Sequence, residues 1–158
     1  MITTKGKVIE IFSANKAQSG LPRPIVSNLE LIEAYGIKND KFAGKDEEKS
    51  VMIVGIDSYE LSKQNGIELK YGSLGENILF DFDPHNFPIG TQFKIAETII
   101  QITEKCTICN HLVVFDKKLP RLVKDCRGLY CKIIKGGEIK KNSSIIVLNN
   151  NQSNEKIA

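Results

Sequence analysis

The apolar residues of this chain come in short runs, and that shortness most limits what it can fold into. VIEIF (8–12), SVMIV (50–54), NILFDF (77–82), FKIA (93–96), TIIQIT (98–103), LYCKII (129–134) and SIIVL (144–148) are rich in Val, Ile and Phe. Turn-forming Gly, Pro, Asn and Asp bound most of them. Runs of this length with β-branched residues read as strands, and no long stretch keeps the 3.6-residue period of an amphipathic helix. The expected fold class is therefore mainly β, a β-rich α+β chain with a barrel or sandwich and a few short helices. There is no sustained alternation of strands and helices and no fixed-period repeat.

Between the strands the sequence gives local signals. LPRPIV carries Pro22 and Pro24, which forbid a helix interior and predict an extended entry. Leu29–Ala34 is ambiguous between strand and helix, and the stretch 36–49 reads as a long loop. Asp57 is placed to cap a short helix ending near Gln64, where Asn65-Gly66 stops it. Leu119–Asp125 predicts one or two helical turns starting at a proline. GGEIKKN is expected to join the last two strands as a hairpin-like connection.

At 158 residues the chain is most simply one domain, expected over 1–148, followed by a polar, disordered tail over 149–158. Twenty-two Lys and Arg against nineteen Asp and Glu leave a formal charge of +3. That is too mild to argue for nucleic acid, yet it leaves room for a basic pocket that takes an anionic small molecule. The opening MITTKGKVIE lacks the apolar core of a signal peptide, and no window approaches a membrane span. A cytoplasmic setting is expected, with no membrane partner. In that reducing compartment the four cysteines point to metal binding or thiol chemistry before a structural disulfide.

Two of those thiols stand in EKCTICNH, with Cys106 and Cys109 beside His111. A Cys-x-x-Cys pair reads as a redox motif mainly within a βαβ context, which is missing here. Zinc is a rival reading: Cys106 and Cys109 with Cys126 and Cys131, or with His111, roughly follow a zinc-ribbon spacing. Against it, Cys131 sits inside an apolar run and is expected to face a core. The third reading is a reactive thiol, which needs positive surroundings such as Lys105 or Arg127 to ionise near neutral pH.

The stretch YGSLGENI (71–78) resembles the G-x-L-G-E-N signature of the MOSC domain, named for the C-terminal part of molybdenum cofactor sulfurase. Upstream, GIKNDKFAG (36–44) is similar to that family's G-(I/L)-x-G-D-x-H-A-G loop. Downstream, Pro88–Thr91, the EKCTIC cysteines, RGLY (127–130) and KGGEI (135–139) fall in register with further family segments. The chain departs from the pattern at Asn39, where the family has glycine, at Phe42, where it has histidine, and at Asn142-Ser143, where it has Gly-Asp. Asn tolerates a left-handed backbone, so Asn39 is expected to keep the turn.

The resemblance implies a barrel of the pyruvate-kinase type and a role with the molybdenum cofactor (molybdopterin). The chain would be a sulfur carrier or a cofactor-binding protein, possible either as a sulfurtransferase or as a component of a molybdenum-dependent oxidoreductase. Its implied partners are the pterin itself and a molybdoenzyme or a sulfur-donor protein. Some relatives support detoxification of N-hydroxylated compounds. The family thiol is matched to Cys109, as persulfide or as a soft ligand of molybdenum, with Cys106 its neighbour. Gly72 and Gly75 allow a tight turn whose N–H groups can hold an anion, and Asn77 is a binding candidate beside them. Arg23, Arg127 and Ser13 are expected near the cofactor's phosphate, ahead of Lys16 and Lys41. Asp40 and Asp116 read as loop carboxylates that bond nearby backbone, and His85 as exposed. The alternative function is a non-catalytic module stabilised by zinc or binding the cofactor without turnover.

Overall fold

The structure is a computed structural model that describes residues 2–107 and 109–148; the expected tail, 149–158, lies outside them. Seven strands close a barrel: β1 (Ile2–Ile11), β4 (Val51–Gly55), β5 (Ile78–Phe80), β6 (Gln92–Ile95), β7 (Thr98–Lys105), β8 (Leu129–Lys135) and β10 (Ser144–Leu148). Around it they run β1-β10-β6-β7-β8-β4-β5 and return to β1. A separate small sheet pairs β2 (Leu29–Ile32) with β3 (Gly36–Ile37) and β9 (Gly137–Ile139). Closure leaves the barrel no edge strand on which another chain could add.

Strand alternation sorts the apolar residues into two cores. On β4, Val51 and Ile53 point into the barrel with Ile78, Phe80, Phe93, Ile100 and Ile145. Met52 and Val54 point the other way, onto Tyr59, Leu74, Leu112, Leu119 and Val123. Both faces of β4 are covered, which is why its run is apolar throughout. Cys131 lies in the barrel interior, as its apolar run predicts.

Strands β4 and β5 are the parallel pair of the barrel, Ile53 opposite Ile78 and Gly55 opposite Phe80. Parallel neighbours require a long crossover. Here it runs from 56 to 77 and holds α1 (Ile56–Gln64) and the Gly-rich turn. The helix starts two residues earlier than expected, with Gly55 at its cap and no side chain capping it. Asp57 instead sits in the first turn, where its charge favours the positive helix end. Gly66 at φ +80 ends the segment, as the Asn-Gly signal predicts. The second helix, α2 (Leu119–Leu122), is a single turn with Pro120 at its start.

One expected connection is wrong. β8 and β10 are not a hairpin: β8 lies between β7 and β4, and β10 between β1 and β6. The intervening GGEIKKN contributes β9, whose Gly137–Ile139 pairs with Leu29–Leu31 of β2. Both flanks of β8 are already taken, so the chain must cross the barrel end before its last strand completes the closure.

Candidate functional site

A cavity of about 770 Å³ opens beside the barrel, against the outward face of β4. The Gly-rich turn supplies Gly75 and Asn77, and the end of β7 supplies Cys106. Across from them stand Arg23, Asp40, Phe42, Arg127 and Tyr130. The two stretches singled out in the sequence, GSLGEN and EKCTIC, thus share one cavity.

The Gly-rich turn is built on a buried carboxylate. Glu76 is fully buried, accepts from the Tyr59 hydroxyl at 2.7 and 2.8 Å, and accepts from the Gly72 N–H at 3.1 Å. The Tyr59 oxygen itself accepts from the N–H groups of Gly72 and Leu74, at 3.0 and 3.1 Å. Those donors therefore face inward to the protein and are spent on the turn. Burial raises the Glu76 carboxyl above its ordinary value, against the pull of the Tyr59 bond. Gly72 has φ +93, and a Cβ there would lie 2.8 Å from the Arg23 carbonyl oxygen, so the turn needs glycine. Asn77 ties three strands together. Its Oδ1 accepts from the Met52 N–H and its Nδ2 donates to the Phe12 oxygen, both at 3.0 Å.

On the opposite wall, Asp40 holds the loop. It accepts from Ser13 Oγ at 2.6 Å and from the Phe42 N–H at 3.0 Å, and it pairs with Arg23 at 3.6 Å. Asn39 before it takes φ +69, and Asn142 takes φ +72, so asparagine keeps both left-handed turns where the family pattern has glycine. Arg23 also donates through Nε to the Gly75 oxygen at 2.7 Å. Ser13 does not line the cavity; it acts on it through Asp40. Lys16 and Asp116 also stay outside the lining.

The thiols are placed unequally. Cys106 is 3% exposed, lines the cavity and donates to Tyr130 Oη at 3.4 Å. Its N–H bonds the Gly128 oxygen at 2.9 Å, extending the β7–β8 ladder by one step and fixing where the side chain points. Cys109, the thiol favoured on the sequence, is half-buried against the outer core and is absent from the cavity wall. Burial pushes its thiol up, and the nearby Arg127 charge opposes that. Arg127 is itself 3% exposed and spans the site: Nη1 donates to the Leu74 oxygen, and Nη2 stands 3.3 Å from His111 Nε2. Burial and the Arg127 charge hold His111 below its ordinary value, so its ring accepts from the guanidinium as the neutral form. Arg23 Nη1 and Arg127 Nε are buried with no hydrogen-bond partner among the described residues.

Charge is concentrated here. Arg23, Lys41, Lys45, Lys49 and Arg127 line the cavity against Asp40 and Asp46. The excess of three positive charges equals the formal charge of the whole chain, so the rest of the molecule is balanced. A concave site with such an excess focuses field lines and favours an anion.

The four thiols do not assemble as a zinc ribbon requires. Cys131 faces the barrel interior, Cys106 faces the cavity on the other side of the wall, and no three His, Cys, Asp or Glu residues gather for a metal among the described residues. His85, expected to be exposed, has a side chain only 7% exposed and bonds Asp83 at 2.9 Å. Sequence reasoning missed Tyr130, Lys45 and Lys49. Tyr130 was within reach: alternation along LYCKII sets it opposite the buried Cys131, on the cavity side. No helix among the described residues is long and apolar enough to cross a membrane.

Known proteins resemble this arrangement. The YuaD protein from Bacillus subtilis superposes with a TM-score of 0.77 at 15% identity, covering 93% of this chain and 97% of that one. YiiM from Geobacillus stearothermophilus gives 0.66 at 13% identity over 95% and 76% of the two chains. YiiM from Escherichia coli gives 0.64 at 15% over 90% and 70%. At these identities the likeness establishes the fold. No protein of curated function matches the chain. Residues 39–146, most of the sequence, match the MOSC domain. This chain belongs to the MOSC domain family.

Proposed function

We propose that the cavity binds an anionic pterin of the molybdenum-cofactor type and that Cys106 is its working thiol, carrying sulfur or meeting the metal. The observation that carries this reading is the position of Cys106 on the wall of a cavity whose lining has three excess positive charges. The residues suit such a guest. Arg127 Nε and Arg23 Nη1 are buried without hydrogen-bond partners among the described residues, and the open volume takes a fused-ring ligand with its side chain. Gly75 and Asn77 would border it, with Arg23 and Arg127 near its phosphate and Ser13 holding Asp40 in place. When bound, the cofactor supplies a sulfur-accepting, redox-active metal.

The chain's own step is thiol exchange. The Cys106 thiolate attacks the terminal sulfur of a persulfide on a donor protein. The donor's S–S bond breaks, the donor leaves as a thiolate, and Cys106 holds the persulfide. Arg127 and Arg23 line the same cavity as Cys106 and give its wall positive charge. Cys109 is then the neighbouring thiol, the reverse of the order suggested by the sequence pattern. A molybdoenzyme that reduces N-hydroxylated compounds is a partner consistent with this role, and a cytoplasmic setting suits its reduced thiols.

The test is cyanide-labile sulfur on freshly purified protein, read with native mass spectrometry. Cys106→Ala is expected to abolish it and Cys109→Ala to leave it in place. Loss with Cys109→Ala and retention with Cys106→Ala would return the role to Cys109.

A further inference from the structure

Phe42, at the position where the family pattern has histidine, is 45% exposed at the mouth of the cavity. Three cations stand around its ring: Arg23 Cζ at 5.1 Å, Lys41 Nζ at 5.5 Å and Lys45 Nζ at 5.7 Å. Like charges gathered on one side chain repel one another, so something must offset the repulsion. Asp40 pairs with Arg23 at 3.6 Å, and the buried Glu76 also acts on the Arg23 charge. Among the described residues no carboxylate pairs with Lys41 or Lys45, although Lys41 is anchored by donating to the Gln18 oxygen at 2.9 Å. The negative face of the aromatic ring is an attraction common to all three cations. Arg23 Nη1, although 3.6 Å from Asp40, is buried with no hydrogen-bond partner among the described residues, so it has a donor to spare.

We propose that Phe42 is a positioning residue that gathers Arg23, Lys41 and Lys45 into an oxyanion site at the cavity mouth, suited to a phosphate or diphosphate group. This rests on the cavity being the ligand site and names what it recognises at its entrance. Two lysines give mobile point charges, and Arg23 gives a planar donor already fixed by Gly75 and Asp40. A histidine there would add a titrating group in place of the ring face; phenylalanine keeps the cluster's charge constant with pH.

The probe is inorganic pyrophosphate, titrated calorimetrically into the full-length protein at low and moderate salt. Wild type is expected to bind, with affinity falling as salt rises. Phe42→Leu, which changes no charge at a half-exposed position, is expected to bind roughly fivefold more weakly. Phe42→Trp, the better cation partner, is expected to match or exceed wild type. Equal binding by Phe42→Leu and wild type, or Phe42→Trp behaving like Phe42→Leu, overturns the proposal. No binding by wild type at low salt overturns it as well. Cyanide-labile sulfur measured on the same samples separates the two readings: its loss bears on Cys106, and its persistence alongside weakened pyrophosphate binding bears on Phe42.

Discussion

Glu76 shows how a single side chain can set a pH dependence. Burial raises its carboxyl above the ordinary 4.5, so the folded protein holds this proton to higher pH than the unfolded chain does. Between those two values the native state binds more protons, and stability therefore falls as pH rises from 4.5 through the folded value. Glu76→Gln has no proton to lose. Urea midpoints measured from pH 4.5 upward should decline more steeply for wild type than for the variant. Parallel profiles would mean that Glu76 ionises alike in both states. The residue scale is also where the sequence was read most unevenly. Asn39 in a left-handed turn follows from the tolerance of its own side chain, and the structure agrees. That Cys106 and not Cys109 lines the cavity goes with a ladder bond to Gly128, which forms only when two distant strands meet.

At the scale of elements, Asn77 is the joint between the barrel and the site. Its amide satisfies the Met52 N–H and the Phe12 carbonyl, and its backbone bonds the same two residues at 2.8 Å. Asn77→Ala leaves both side-chain partners buried and unpaired, at an expected cost of about 2–4 kcal/mol. Chemical denaturation measures it; a loss under about 0.5 kcal/mol, the scale of an ordinary surface substitution, would show that water replaces the amide. Asn77→Asp keeps the acceptor for Met52 and loses the donor to Phe12, so it separates the two bonds. Strand existence was legible because β-branched alternation is local information. Pairing was not. The hairpin expected across GGEIKKN fails because β4 and β7 already flank β8, and β10 is needed between β1 and β6. Those partners lie far away along the chain, and nothing local to the connection encodes them.

At the scale of the molecule, the barrel is a sealed core with a charged cavity on its outside, and the cysteines report on both. Cys131 is 0% exposed among barrel side chains, and burial pushes its thiol up, so neither access nor ionisation favours its reaction in the folded state. A closed sheet has no edge to fray, and exposing Cys131 means parting β8 from β7 or β4. Its alkylation should therefore need global unfolding: slow in buffer, and accelerating with low urea along the same slope as the equilibrium transition. Cys126, partly buried outside the barrel, should label without that dependence. Mass spectrometry of each labelled peptide gives both rates in one experiment. Cys131 labelling that ignores urea would show the barrel opening locally, and the strand pair that opens would then also control access to the wall carrying Cys106.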